Sequence, residues 1–510
     1  MKRTLLLIIL DGWGLGPSDD SNPIHAARPE VLTYLEQTYP VTSLEASGIN
    51  VGLPWGETGN SEVGHLTLGA GKIIYQHFPR IMLAIRDGSF YQNQTLKGAF
   101  EHARSNNSAV NLVGLLSKGN THAALDHLHA LIEMAKRENI ERVNLHLFGD
   151  GKDCPPKTAG EMLATLPRQM LATLTGRYYA MDREGNWQLT RSAYDTMTGG
   201  GAQKADDIEA VLRTTYQRGL SEEYVPPTSF APEKAIQDND AVIFFNYRED
   251  SIRQISEAFI DPAFNKFPVK HFTNLYLATF TRYEERFNVP VAFAPDRVEH
   301  PLGRVISDAG KTQLRLAETY KYAHVTYFFN GYKEEPFKSE YRVLVPSLQT
   351  PTPAEHPEMM ASQITDRLMQ GIENQGFDFI LVNYANPDTM GHTGNYDAAV
   401  QTVKVIDREL GRIMKVASRT QTVVIITSDH GNVERVFDPA TGRPETQHDA
   451  NPVPFYLVAP EFKDKKFLNW KNLRFETAGG LQDIAPTVLE LMGLPQPTDM
   501  SGHSLLRNLL

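Results

Sequence analysis

Short uninterrupted apolar runs, each ending in a polar cluster, set the rhythm of this chain. Residues 4–10, 377–383 and 422–427 have strand length and no inward–outward alternation. That is the pattern of parallel strands covered on both faces. Residues 322–329, led by Lys321, read as a further strand, and residues 455–458 as a short one after Asn451-Pro452-Val453-Pro454. Helical patterns fall over residues 396–416 and 484–492. From about residue 76 the character changes. Residues 111–117, 142–148, 241–247 and 274–280 read as strands, with helical stretches between them such as 124–137. Proline-containing segments near residues 290–301 read as a return linker. Strand–helix alternation in two separate groups predicts two parallel-rich sheets rather than one.

Length agrees, since 510 residues exceed what one hydrophobic core organises. With 41% apolar and 22% charged residues the composition is that of a globular chain. A net charge of -11 argues against nucleic acid as a partner, so any anionic ligand needs a local concentration of basic residues. The single cysteine, Cys154, cannot pair internally and reads as a packed residue before two prolines, which fits a reducing, cytoplasmic setting. Lys2 and Arg3 before the first apolar run imitate a signal peptide. The run is too short, however, and ends in Asp11-Gly12-Trp13-Gly14, so a first strand is expected. No stretch is long enough to span a bilayer.

The strand ends carry the chemistry. Asp11 closes the first apolar run, and the glycines after it do not complete a dinucleotide-binding fingerprint because Pro17 takes the third place. Asp388 and His392 stand four apart just past another run, and one helical turn would put them on one side. Asp429 and His430 follow a third run, and His448 precedes a fourth. Ser61 lies in Gly59-Asn60-Ser61-Glu62-Val63-Gly64-His65, which is neither a nucleophile elbow nor a P-loop. In a doubly wound sheet these ends gather on one edge. Six oxygen and nitrogen ligands and one hydroxyl suit two divalent ions. Carboxylates mixed with imidazoles favour Mn²⁺ or Zn²⁺, with Co²⁺ also possible, over Ca²⁺. Two such ions would clamp a phosphoryl group and activate a serine hydroxyl without a neighbouring base. In the middle of the chain, Arg177, Arg183 and Arg191 surround Tyr178-Tyr179-Ala180-Met181-Asp182. Further polar clusters at 117–122, 149–153 and 248–250 suit an anionic ligand or a solvated rim.

With these motifs assembled, the chain resembles the cofactor-independent (2,3-bisphosphoglycerate-independent) phosphoglycerate mutases of the alkaline phosphatase superfamily. The carrying stretches run nearly end to end, from Ile9-Leu10-Asp11-Gly12 through the Ser61 motif and residues 176–183 and 321–326. They continue through Gly391-His392-Thr393-Gly394 and Asp429-His430-Gly431-Asn432 to residues 451–454. The resemblance implies an α/β fold, an alkaline-phosphatase-like doubly wound sheet domain of residues 1–75 and 296–510, interrupted by a second α/β domain of residues 76–295. It implies one Mn²⁺ on Asp388, His392 and His448 and another on Asp11, Ser61, Asp429 and His430. Ser61 would carry the phosphoryl group while the inserted domain holds the glycerate and closure excludes water. It also implies 3- to 2-phosphoglycerate interconversion in glycolysis and gluconeogenesis, by a monomer with neither a nucleic-acid nor a membrane partner.

The implied substrate residues are His122, Lys152, Asp153, Arg183, Arg191, Arg248 and Lys321, and here the match weakens. Gly-Arg-Asp of the family is Gly151-Lys152-Asp153, and lysine loses the bidentate fork. His-Ser-His reads His122-Ala123-Ala124, and Arg-Ala-Asp-Arg reads Arg248-Glu249-Asp250-Ser251. Leu189 stands where an arginine is usual, with Arg191 close enough in sequence to compensate, and Tyr320 replaces an acidic residue. Two further readings follow: a divergent relative acting on another phosphorylated or phosphonylated acid, and a non-catalytic metabolite-binding protein on the same fold. The intact Asp11, Ser61 and Asp429 set argues against the last.

Overall fold

The computed structural model describes residues 3–201, 203–469 and 471–509; Lys2 of the signal-like N-terminus lies outside them. The chain divides into two compact units. One comprises the chain up to Gln76 and from Asp296 onward, the other His77–Pro295.

The first unit is built on an eight-stranded sheet. Its order is Glu340–Val345, Gln313–Glu318, Phe379–Tyr384, Leu5–Leu10, Val423–Thr427, Val453–Val458, Val41–Glu45 and Gly479–Gly480. Leu5–Leu10 is central and runs parallel to both neighbours, Leu5 standing beside Phe379 on one side and Val423 on the other. All six of its residues are buried. Successive side chains of a strand face opposite ways. Leu6, Ile8 and Leu10 enter one core with Val403, Ile406 and Leu410 of the helix Tyr396–Thr420; Leu5, Leu7 and Ile9 enter the other with Ile484 and Val488 of the helix Ile484–Leu491. Two cores on two faces are why the run shows no alternation. Helix Tyr396–Thr420 starts where the Asn395 side chain accepts the Ala398 amide, and stops at Gln421, whose φ is +55°.

One expected strand is absent. Thr319–Lys321 is a 3₁₀ turn and His324–Phe328 a π-helical turn, so residues 322–329 do not enter the sheet. Gln313–Glu318 takes the place instead. Gln313, Arg315 and Glu318 interrupt its apolar character, yet all six residues are buried. Arg315 is the reason. Its guanidinium lies 4.8 Å from the Phe329 ring centre and 5.3 Å from that of Phe379, and it donates to Gln313 Oε1 at 2.6 Å. The apolar run 322–329 supplies Val325 and Phe329 to the core beneath.

The second unit carries a seven-stranded sheet. Its order is Gln203–Lys204, Thr228–Ser229, Leu171–Gly176, Val143–Gly149, Val110–Leu116, Ala241–Phe244 and Tyr276–Thr279. Four of these were legible as apolar runs; Leu171–Gly176, with its threonines, was not. Its core includes Phe90, Phe100, Leu112, Leu145, Phe244 and Phe280. The two ends of the unit are tied together. Arg80 donates to the Ala294 carbonyl at 2.5 Å, Asn93 to that of Ala292 at 2.7 Å, and Thr95 to that of Val291 at 3.1 Å. Among the described residues no helix is long and apolar enough to cross a membrane.

Candidate active site

Three adjacent parallel strands of the first unit deliver three carboxylates. Asp11 directly follows Leu5–Leu10, Asp429 follows Val423–Thr427 by one residue, and Asp388 sits in the short helix Asn386–Gly391 after Phe379–Tyr384. Ser61 opens the helix Ser61–Ala70, which Asn60 caps by accepting the Val63 amide at 3.0 Å. Two glycines allow the approach. A Cβ on Gly64 would lie 2.6 Å from the Asp429 carbonyl oxygen. Gly12, at φ +70°, would bring one within 2.9 Å of the Asp388 Cα.

Asp388, His392 and His448 form one group. Both imidazole Nε2 atoms approach Asp388 Oδ1, at 3.2 and 3.3 Å, and lie 3.1 Å from each other. Each ring has its other nitrogen committed: His392 Nδ1 donates to the Thr446 carbonyl at 2.8 Å and His448 Nδ1 to that of Gly59 at 2.7 Å. In the neutral rings both Nε2 lone pairs therefore face one carboxylate oxygen, a donor set that a divalent cation satisfies. Asp11, Ser61, Asp429 and His430 form the second group. Ser61 Oγ is 3.0 Å from Asp11 Oδ1 and 2.9 Å from His430 Nε2. His430 Nε2 is 3.5 Å from Asp11 and 3.6 Å from Asp429. The donor set again fits a hard or borderline divalent ion.

Lys321, implied by the resemblance as a substrate residue, lies among these groups in the first unit. Its Nζ lies 2.7 Å from Asp11 Oδ1, 2.6 Å from Asp388 Oδ2 and 2.6 Å from Ser61 Oγ. Burial pushes Asp388 up, but Lys321 and the two histidines hold it well below the usual carboxylate range. Burial pulls His430 down, and Asp429, Asp11 and Asp388 outweigh it, raising the ring to about 9.

Four supporting residues escaped the sequence reading. His65 Nδ1 lies 2.8 Å from the Ser61 carbonyl and 3.1 Å from Asp429 Oδ2. Asn383 bridges His65 Nε2 at 3.0 Å and Asp11 Oδ2 at 2.6 Å. Asn432 donates to Asp388 Oδ1 at 2.8 Å. Buried Glu434 accepts the amides of Gly14 and Asn432 at 2.9 and 2.8 Å and the Asn451 side chain at 3.2 Å, tying three ligand-bearing loops. His65 stands within the Ser61 motif and Asn432 within the Asp429 motif, so proximity was their available signal; nothing local marks Glu434.

The second unit holds a cleft of about 970 Å³ lined by His122, Lys152, Asp153, Arg183 and Arg248, together with Arg177, Leu189 and Ser251. His122 Nδ1 is 2.6 Å from Asp153 Oδ2. Arg183 and Arg248 both reach Asp250 Oδ2, at 2.6 and 3.1 Å. Lys152 Nζ stays 3.8 Å from Glu223. Arg191 does not line the cleft. On the helix Trp187–Thr198, two residues turn about 200°, so Leu189 faces in while Arg191 bonds Asp195 Oδ2 at 3.3 Å along the helix. Sequence proximity does not make it a substitute for the missing guanidinium.

Comparison with known proteins matches residues 3–496 to the Metalloenzyme superfamily. A 2,3-bisphosphoglycerate-independent phosphoglycerate mutase of Thermomicrobium roseum is 46% identical over 98% of this chain and 97% of its own. One from Pseudomonas aeruginosa PAO1 is 43% identical over 99% and 98%. Among solved structures, phosphoglycerate mutase of Leishmania mexicana, determined at low cobalt concentration, superposes with a TM-score of 0.53 at 26% identity, covering 100% of this chain and 98% of that one.

Proposed function

The chain belongs to the 2,3-bisphosphoglycerate-independent phosphoglycerate mutases within the Metalloenzyme superfamily, and from that premise we propose that it interconverts 3- and 2-phosphoglycerate through a phosphoserine at Ser61. What supports the reading is one convergence: the Ser61 hydroxyl has Asp11, His430 and Lys321 all within 3.0 Å. A buried serine so placed is a nucleophile in waiting. Asp388, His392 and His448 would hold one divalent ion and Asp11, Ser61, Asp429 and His430 another, most simply Mn²⁺. When bound, these ions neutralise phosphate charge and lower the pKa of the Ser61 hydroxyl. Lys321 brings its own positive charge to Ser61 Oγ, where it would stabilise negative charge building on the transferring phosphoryl oxygens. Arg183 and Arg248, presented side by side by Asp250, supply a fork for the carboxylate of the acid. Such a reaction would serve glycolysis and gluconeogenesis, and a single unpaired cysteine fits the reducing cytoplasm.

The test is incubation of the Mn²⁺-loaded protein with 3-phosphoglycerate and no bisphosphoglycerate, following 2-phosphoglycerate and free phosphate together. Formation of 2-phosphoglycerate with little phosphate, abolished by a chelator, is the expected result. Phosphate release without 2-phosphoglycerate would overturn it. A second reading, transfer on a different small phosphorylated or phosphonylated acid, is favoured by Leu189 occupying the cleft wall while Arg191 faces away.

A further inference from the structure

The glycine run after Asp11, which completes no dinucleotide fingerprint, has two faces. On one, four successive amides hold the loops that carry Asp429, His430 and His448. Gly12 donates to Asp429 Oδ1 at 3.2 Å and Trp13 to Ser428 Oγ at 2.9 Å. Gly14 donates to Glu434 Oε2 at 2.9 Å and Leu15 to the Pro452 carbonyl at 2.8 Å. The glycines serve close approach. A Cβ on Gly14 would strike the Glu434 carboxyl, and one on Gly16 would lie 2.9 Å from Asn22 Nδ2.

The other face lines a cavity of about 340 Å³ that lies wholly within the first unit. Cavities of this size hold small molecules. Helix Glu30–Thr38 forms another wall. Pro29, Leu32, Thr33 and Glu36 line the cavity at i, i+3, i+4 and i+7, so one helix face follows it for two turns, about 10 Å. The charged side chains lining it are His25 and Arg28, which precede the helix, and Glu36, near its end. The Arg28 guanidinium makes no hydrogen bond or ion pair among the described residues. Glu36 commits Oε1 to the Tyr456 hydroxyl at 2.9 Å, and its other oxygen accepts nothing among the described residues. Leu32 lies between these poles, and Trp13 and Ile24 add apolar wall. Trp13 is 2% exposed, yet its indole N–H has no hydrogen-bond partner among the described residues. A buried tryptophan ordinarily satisfies that donor.

We propose that this cavity is an effector site for a small elongated anion with a flat body and an amino group at its far end, the chemistry of a nucleoside monophosphate, and that the Gly12–Leu15 amides transmit its occupancy to the metal-ligand loops. The phosphate pairs with Arg28, whose fork matches phosphate oxygens. The flat body lies along Leu32 and Ile24 and accepts from the Trp13 N–H. The amino group donates to the open oxygen of Glu36. An occupant packed on residues 13–17 favours the loop arrangement in which all four amides are bonded. A ligand shifts such an equilibrium only by its preference for one state, and the coupling is reciprocal. Occupancy therefore raises affinity for the divalent ion, and the ion raises affinity for the occupant.

The experiment titrates AMP into metal-free and Mn²⁺-loaded protein by calorimetry, with adenosine and inorganic phosphate as probes of one pole each. The parent is compared with Arg28→Gln, Glu36→Gln and Trp13→Phe. Arg28 and Glu36 are at the surface, so their variants should melt with the parent. AMP is expected to bind the parent more tightly than either fragment does. Arg28→Gln should weaken it by about tenfold or more, and so should Glu36→Gln, which turns an open acceptor into a donor. AMP should change the tryptophan emission of the parent but not of Trp13→Phe. In equilibrium dialysis, saturating AMP should lower the half-saturating Mn²⁺ concentration at least about fivefold in the parent and leave Arg28→Gln unmoved. The weak hold of free AMP on Mn²⁺ is the same in every sample. Absence of AMP binding, or phosphate alone binding as tightly, overturns the assignment of the ligand. AMP binding that ignores both Arg28→Gln and Glu36→Gln, and that 3-phosphoglycerate displaces, places AMP at the metal centre and overturns the site. Binding in the cavity with an unchanged Mn²⁺ affinity overturns the coupling. None of these readouts uses turnover.

Discussion

Removing one oxygen separates the two tasks of the Ser61 cluster. Ser61→Ala deletes the phosphoryl acceptor and leaves Asp11, Asp429, His430, Asp388, His392 and His448 in place. Turnover should fall by at least about 10³-fold. Mn²⁺ affinity, measured by calorimetry, should fall far less; retention of full activity would refute the phosphoserine route. Protons compete for the same ligands. Asp388 and its hydrogen bond raise His392, and the three carboxylates raise His430 to about 9, so both rings take protons readily when no cation is present. Each must be neutral at Nε2 to ligate. The half-saturating Mn²⁺ concentration is expected to rise steadily as pH falls from 9 toward 6, visible in equilibrium dialysis; a pH-independent affinity would contradict this ligand set. At this scale the sequence was most legible where a residue's type announces its chemistry at a strand end, as for Asp11, Asp388 and Asp429. It was silent on Glu434, because a carboxylate that accepts from Gly14, Asn432 and the Asn451 side chain has no local signature of its own.

Elements were legible when burial was two-sided or the helical face continuous. Leu5–Leu10 and Tyr396–Thr420 satisfy those conditions. Gln313–Glu318 defeats them, because Arg315 is buried through ring faces rather than by an apolar side chain. The run 322–329 has strand composition but follows directly on a turn that must present Lys321 to Ser61, and it coils. Helix phase decides the cleft as well. Leu189→Arg should place a guanidinium in the cleft and lower KM for 3-phosphoglycerate several-fold, whereas Arg191→Ala should leave it nearly unchanged. A large KM effect of Arg191→Ala, with Leu189→Arg inert, would show that the helix phase is misassigned. On helix Leu125–Arg137, His127 is buried against Phe78, Tyr247 and Phe280 with neither ring nitrogen hydrogen-bonded among the described residues. Burial lowers it to about 3, and His146 likewise. The unfolded chain, with histidine near 6.5, takes those protons first. Stability is unaffected above that value and falls as pH drops from 6.5 toward 3, by up to about 1.4 kcal/mol per pH unit for each ring. Urea unfolding at pH 7, 5.5 and 4.5 should show the decline, and His127→Leu should make it shallower.

At the scale of the whole molecule, the division into two sheets followed from the two groups of apolar runs, while the seven-stranded order of the second did not. Strands such as Gln203–Lys204 and Thr228–Ser229 are two residues long and fall below any periodicity. Lys152, Arg177, Arg183 and Arg248 gather in one cleft, where Asp153, Asp182, Glu184 and Glu223 stand beside them and balance their charge.

The tied ends of the second unit have a consequence for how such a chain can vary. Arg80, Asn93 and Thr95 grip the backbone at Val291, Ala292 and Ala294, so the segment leaves close to where it enters. To the eight-stranded sheet, everything between is one closed loop. The entropy of closing a loop grows only logarithmically with its length, and here the loop's own folding supplies the closure. The sheet's stability is thereby insulated from what the loop contains. Residues such as Lys152, Leu189 and Ser251 are free to drift toward a new acid while the strand ends bearing Asp11, Asp388 and Asp429 stay under their own, separate constraint: an architecture in which specificity can be explored without putting the reactive centre at risk.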